Sequence, residues 1–232
     1  CILDPLTQPL PFTPFKDFTG RSINEINLYS TEMSSALCSI DRVSASANMN
    51  NRLSEAIVEA YKSTNGAPIS FELMLKCYQS RMKDANNDDS ISSVLKQLVN
   101  AHIFESEDKV SLIDDSYIIK MDGYPKDGPI AKAIVYFLMS KLNNIYELLD
   151  KQAVNDEVVQ IRHFSIIDEA HYMLDFDNRP LRNLIAVGRN KGLSIILATQ
   201  NMSSFKSKGF DFYANAQYPL IMKKKTIDDK VI

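Results

Sequence analysis

Two carboxylates at the end of an apolar run are the sharpest chemical feature of this 232-residue chain. In the stretch HFSIIDEAHYML, four mostly apolar residues, Phe164 to Ile167, lead directly into Asp168 and Glu169. A strand apolar on both sides is expected to be buried, so its two carboxylates emerge at the carboxyl edge, where α/β sheets bind ligands. Asp168 can then hold a magnesium ion, directly or through water, because that ion prefers oxygen ligands. Glu169 can polarise a water next to a phosphate. The plainer alternative is an ordinary strand end followed by an acidic helix start, where the helix dipole favours Asp and Glu anyway.

A second stretch, GRNKGLSIILATQN, strengthens the first reading. It places a Gly-bounded turn, an apolar strand from Leu193 to Ala198, and then Thr199 and Gln200. If consecutive βα units are neighbours, Gln200 sits one strand over from Glu169. From there its amide can donate to a γ-phosphate or to the attacking water. A polar strand end is the bland alternative. The spacing, with one helix between the carboxylates and the Thr-Gln pair, is that of a Walker B strand followed by a sensor strand.

The elements that must position these residues alternate. The first four residues, CILD, are expected to form a short strand, and Pro5, Pro9, Pro11 and Pro14 then forbid a helix. Leu10, Phe12, Phe15 and Phe18 are expected to pin this extended segment to a surface. Residues 22–29 are polar and ambiguous. Helices are expected over 51–62, 70–83 and 91–101, the first ended by Asn65-Gly66 and the second capped by Ser70. Residues 104–112 resemble a hairpin or loop. A buried strand is expected at 117–122, a long helix from Pro129 to about residue 151, a strand at 163–168, a helix at 180–191, and strands at 193–199 and 218–223. Apolar strands alternating with helices predict an α/β chain with a mostly parallel sheet wrapped by helices. Residues 1–24 are assigned to the core, 25–112 to a mostly helical insert, and 113–232 to the half carrying both motifs.

Composition narrows the possibilities. Net charge is −3 with 24 % charged residues, so any polyanion contact must come from a local patch or a shared ring surface. No apolar run approaches the roughly 18–20 residues of a membrane helix. Cys1, Cys38 and Cys77 form no CxxC pair, and His102, His163 and His171 form no HExxH pattern. Neither a disulfide framework nor a zinc site is expected, which fits a reducing compartment. Cys1 opens directly into an apolar strand, without methionine or signal peptide, so the chain is expected to be a piece of something longer.

Taken in order, ILDP with its Pro-rich loop, the helical stretch, YIIKMDG with its long helix, IIDEAHYML, RNKGLSIILATQN and the closing strand resemble one known group. This is the HerA/FtsK group of hexameric DNA-pumping ATPases and their conjugation-type relatives. The likeness runs through nearly the whole chain, specific in IIDEAH and ILATQ and diffuse elsewhere. Within the group, the chain looks most like the DptH-like, HerA-type proteins of phosphorothioation-dependent restriction systems. The resemblance implies a RecA-like P-loop NTPase core with a helical insert, ATP and Mg as cofactors, and DNA as a partner. It also implies a homo-oligomeric ring, other restriction-complex subunits, and a cytoplasmic location without a membrane. By resemblance Asp168 serves magnesium, Glu169 the catalytic water, and Gln200 senses the γ-phosphate. Arg189 matches an arginine that can approach a neighbouring subunit's nucleotide, where an arginine finger stabilises the transferring phosphoryl group. It reads equally as a solvated helix-end cation. Asp4 matches the acidic end of an early strand, or simply starts a turn before Pro5.

One departure from the group is plain: GxxxxGK[ST] is absent. Gly66, Gly123, Gly128, Gly188, Gly192 and Gly209 stand in no Gly-Lys-Ser/Thr context. Without that loop the phosphates lose their backbone cradle, so this chain alone is expected to hydrolyse ATP poorly or not at all. A degenerate domain serving as an assembly scaffold is the competing expectation; a nucleotide-binding switch that does not translocate is a third. Lys206 to Phe210 (KSKGF) and Lys223 to Lys225 are local basic clusters. The first, with Phe205 and Phe210, could track a DNA backbone from a pore loop, or it is a solvated loop. His171, two residues past Glu169, could sense nucleotide state but more often such a residue packs or caps, and Met173, Leu174 and Phe176 are expected to fill core.

Overall fold

Helix caps and apolar spacing account for most elements of the computed structural model, which describes residues 1–40, 45–84, 88–155, 158–174, 176–200, 206–207, 210–212, 214–216 and 218–220. The chain opens with β1 (Ile2–Leu3) and then runs extended through its prolines. Leu10, Phe12, Phe15 and Phe18 are buried, as expected. The Leu10 N–H donates to the Ile103 carbonyl at 2.6 Å and the Glu105 N–H to the Leu10 carbonyl at 3.0 Å, which threads this segment across residues 103–105.

Four helices follow: α1 (Ile23–Ile40), α2 (Ala47–Ser63), α3 (Phe71–Gln79) and α4 (Ser90–Ala101). Each starts at a side-chain cap. Ser22 and Glu25 bond reciprocally, with the Ser22 N–H donating to Glu25 Oε2 at 3.0 Å and the Glu25 N–H to Ser22 Oγ at 3.4 Å. Ser46 Oγ accepts from the Met49 N–H, Ser70 Oγ from the Leu73 N–H, and Asp89 forms a capping box with Ser92. After α2 the backbone turns at Gly66, with φ of 88°. A Cβ there would lie 2.6 Å from the Phe18 carbonyl oxygen, so only glycine lets the extended segment lie against this turn.

β2 (Ile118–Ile119) pairs in parallel with β1, Ile2 opposite Ile118. It is shorter than the expected strand over 117–122. α5 (Pro129–Leu148) begins on its proline, where the missing N–H costs no hydrogen bond, and is buried from Ala131 through Ser140. The Phe137 ring lies 5.6 Å from Phe15, 5.2 Å from Phe71 and 5.8 Å from Phe104, centroid to centroid. This helix therefore joins the extended segment to the helical layer. Lys132 is also buried in it, its ammonium 6.0 Å from the Phe176 ring centre. The helix ends at residue 148 rather than near 151, and Lys191 Nζ donates to its last-turn carbonyls, Tyr146 at 2.6 Å and Glu147 at 3.1 Å.

A short antiparallel hairpin, β3 (Val154–Asn155) and β4 (Val158–Val159), precedes the strand pair that carries the site. β5 (His163–Ile167), α6 (Arg179–Val187) and β6 (Leu193–Leu197) form a βαβ unit, paired in parallel from His163 opposite Leu193 to Ile167 opposite Leu197. Residues 188–191 tighten into a 3-10 turn rather than continuing α6. Gly192 turns at φ of 82°, where a Cβ would lie 2.8 Å from the Gln160 carbonyl oxygen. A second antiparallel hairpin, β7 (Lys206–Ser207) and β8 (Phe210–Asp211), follows.

The structure corrects two expectations about the strands. β5 was expected to be covered on both faces, but Phe164 and Ile166 are 55 % and 68 % exposed, and Ile196 beside them is open too. Ile2 and Ile118 are likewise exposed. Alternation places these side chains on outer faces, whereas Leu193 is buried and Ile167, Ile195 and Leu197 pack against the core. The expected strand at 218–223 is not one over 218–220, and the remainder lies outside the described residues, as do Phe205, Lys208 and Lys223 to Lys225. The three thiols are free, and burial pushes that of Cys38 up to about 11. No described helix is long and apolar enough to cross a membrane.

Candidate active site

Strand pairing brings the two motifs together at one edge. Beyond the last paired residues the ladder continues, the Ala198 N–H donating to the Ile167 carbonyl at 2.9 Å and the Ala170 N–H to the Ala198 carbonyl at 2.8 Å. Those two bonds fasten the Asp168-Glu169 turn onto the end of β6. Glu169 takes up the turn itself, at φ 50° and ψ 40°. A left-handed non-glycine residue costs on the order of 1 kcal/mol, and such strain gathers at functional sites.

That turn aims the Glu169 carboxylate at Gln200, whose Nε2 donates to Glu169 Oε1 at 2.9 Å. The other oxygen, Oε2, lies 3.3 Å from His171 Nδ1, which in turn lies 3.2 Å from Thr199 Oγ1. Three side chains thus gather at the Glu169 carboxylate, Gln200 and His171 directly and Thr199 through His171. Sequence reasoning paired Glu169 with Gln200 but set His171 aside; its signal was the spacing, which places it on the same short 3-10 turn (Ala170–Tyr172) as the carboxylates' strand end.

Asp168 is exposed, and its Oδ1 accepts the Glu169 N–H at 2.8 Å. Among the described residues no group of three or more His, Cys, Asp or Glu could enclose a metal. One exposed carboxylate fits magnesium, which takes one or two carboxylates and completes its shell with waters and substrate phosphates. Asp168 would hold that ion and Glu169 would face the water beside it.

The remaining candidates lie elsewhere. Arg189 is exposed in the turn before β6, at the opposite end of the strand from Gln200, on the order of 15 Å away by strand rise. It cannot reach the carboxylate pair of its own chain. Asp4 ends β1 and starts a turn, its Oδ1 accepting the Leu6 N–H at 3.2 Å and its Oδ2 lying 3.7 Å from Lys120 Nζ. An open cavity of about 410 Å³ lies between α1 and α2, lined by Asn27, Thr31, Glu55, Glu59 and Arg81 among others, none of them from the β5–β6 edge. The convergent polar groups, not that cavity, mark the candidate site.

No family model and no curated protein sequence matches the chain. Among solved structures it is similar to VirB4 of Thermoanaerobacter pseudethanolicus, with a TM-score of 0.58 at 16 % identity, over 93 % of this chain and 60 % of that one. The likeness shows the fold alone: a mixed α/β chain with a RecA-like core.

Proposed function

We propose that this chain is the water-activating half of a P-loop ATPase of the HerA/FtsK kind, which couples ATP hydrolysis to translocation or remodelling of DNA. The hydrogen bond between Gln200 and Glu169, across the ends of adjacent parallel strands, carries the reading. In it Glu169 orients and deprotonates the attacking water, Asp168 serves Mg, and Gln200 reports on the γ-phosphate. Arg189, remote from its own site, serves a neighbouring subunit's nucleotide in a homo-oligomeric ring. DNA, other restriction-complex subunits and a role in DNA restriction, as in DptH-like proteins, complete the proposal, with residues 25–112 as a helical insert and the cytoplasm as the location.

The absence of GxxxxGK[ST] from these residues favours a second reading, a degenerate domain acting as an assembly scaffold. ATP turnover decides between them. In a parent protein that carries the phosphate loop, Glu169→Gln is expected to lower kcat roughly 10²–10³-fold, because it removes the general base while keeping the side-chain shape. This chain alone is expected to turn over poorly. Unchanged turnover in Glu169→Gln would sink the catalytic assignment, and a parent without the loop would favour the scaffold.

A further inference from the structure

We propose that His171, through Nδ1 and together with Thr199, is a positioning residue that holds the second oxygen of Glu169. The inference rests on Glu169 being the base assigned above. Its starting point is an imbalance between the two carboxylate oxygens. Oε1 has a donor, Gln200 Nε2 at 2.9 Å. Oε2 is closed off from solvent and accepts no aligned hydrogen bond from any described residue. An ionised oxygen left that way is costly, so a nearby donor is strongly favoured.

His171 Nδ1 is the group in reach, at 3.3 Å. A single ring nitrogen either carries a proton and donates or lacks one and accepts. Without the proton, Nδ1 would accept from Thr199 Oγ1 at 3.2 Å and turn its lone pair toward Oε2. With the proton it donates to Oε2, and the Thr199 oxygen, 3.2 Å away, faces the same N–H as a second acceptor. The second arrangement removes the unsatisfied oxygen, so the geometry assigns the proton to Nδ1. The contact is long for a hydrogen bond, as catalytic contacts commonly are before the reacting ligand arrives.

The clamp also couples the base to the sensor. Thr199 and Gln200 are consecutive, and both reach the Glu169 side, one through His171 and one directly. Any movement of the β6 end that carries the Gln200 amide to a phosphate therefore shifts both holds on the carboxylate together. Glu169 would be released toward water when the phosphate is in place, and held when it is not.

Two measurements test this. The first is the nitrogen spectrum of the full chain labelled at histidine, His171 being assigned by the signal lost in His171→Asn. Nδ1 of His171 is expected to bear the proton, with Glu169→Ala shifting the ring toward the Nε2–H form. An Nε2–H ring in the unaltered chain, indifferent to Glu169→Ala, overturns the proposal. The second is turnover in the parent protein. His171→Asn keeps a donor at the Nδ1 position, whereas His171→Gln places its amide where Nε2 was. His171→Gln is expected to lower kcat about tenfold with KM for ATP within about twofold, and His171→Asn to restore most of it. Equal losses in both variants, or a change in KM alone, count against positioning through Nδ1. Absence of turnover in the unaltered parent counts against the ATPase reading, while the nitrogen spectrum still decides the clamp.

Discussion

The helical layer and the strand pair β5–β6 bury their apolar residues to different degrees. In α1 to α4 the apolar faces are closed: Met33, Leu37, Leu53, Ile57, Met74, Tyr78, Val94 and Leu95 are all buried, and α5 seals them with Phe137. In the strand pair only the inner face is packed, and Phe164, Ile166 and Ile196 stand open on the other. An apolar sheet face in water forfeits about 25 cal/mol for each Å² a covering layer would bury. Stability in this chain is therefore concentrated in the helices, while the proposed site sits at the end of the less-covered element. Low local stability suits the sensor movement proposed for the end of β6.

The most severe way to break this contrast is to truncate one large side chain in each region. Phe137→Ala removes a ring wedged among Phe15, Phe71 and Phe104 and is expected to cost roughly 3–5 kcal/mol. Phe164→Thr, on the open strand face, is expected to stay within about 0.5 kcal/mol, since threonine suits a strand and little packing is lost. Urea denaturation of both variants measures the difference. Comparable losses would mean that the outer face of β5 is covered in solution, and the contrast would fail.

The same contrast explains what was legible in the sequence. Helices announced by caps and unbroken apolar spacing, such as those after Ser70 and before Asn65-Gly66, emerged within a few residues of their expected bounds. α1 did not, although it is 18 residues long. Its buried face includes Ser30 and Ser34, so close helix packing replaced apolar residues with small polar ones and the periodicity vanished from the sequence. The Ser22-x-x-Glu25 capping box was the available signal. In the strands, apolar composition located β5 and β6 but overstated their cover, because composition fixes what a face prefers and not whether a layer lies on it. At the site, the pairing of Glu169 with Gln200 followed from strand order. The part proposed for His171 did not, since it depends on the left-handed turn at Glu169, which no residue type there requires.

A smaller effect compares two helix caps, one in each region. Asp89 Oδ1 accepts the Ser92 N–H at 2.9 Å, and its Oδ2 accepts from the buried Tyr78 hydroxyl at 2.7 Å and lies 3.2 Å from Arg52 Nη1. Asn178 caps α6 through a single bond, Oδ1 accepting the Leu181 N–H at 3.2 Å. Asp89→Ala is expected to cost about 2 kcal/mol, because it also strands the Tyr78 hydroxyl. Asn178→Ala is expected to cost about 1 kcal/mol. The order of the two melting temperatures checks this, and a reversed order would place more of the stability in the strand region than burial suggests.

The smallest effect is a pH dependence at the start of β5. His163 is partly buried, its Nδ1 has no partner among the described residues, and burial alone pushes its pKa below 6.5. A base whose folded pKa is lowered binds its proton more readily when unfolded, so the unfolded state is favoured wherever that difference is felt. Above the unfolded value both states are neutral and the group contributes nothing. As pH falls through 6.5 stability is lost, and the loss levels off once pH is below the folded pKa. His163→Gln, a neutral side chain of similar reach, is expected to flatten the stability profile in that window and leave the profile above pH 7.5 unchanged. Hydrogen exchange resolved by segment adds the regional test. The acid-dependent loosening should fall on β5 and β6 rather than on α1 to α4, and an even loss across both regions would show that the two are one cooperative unit.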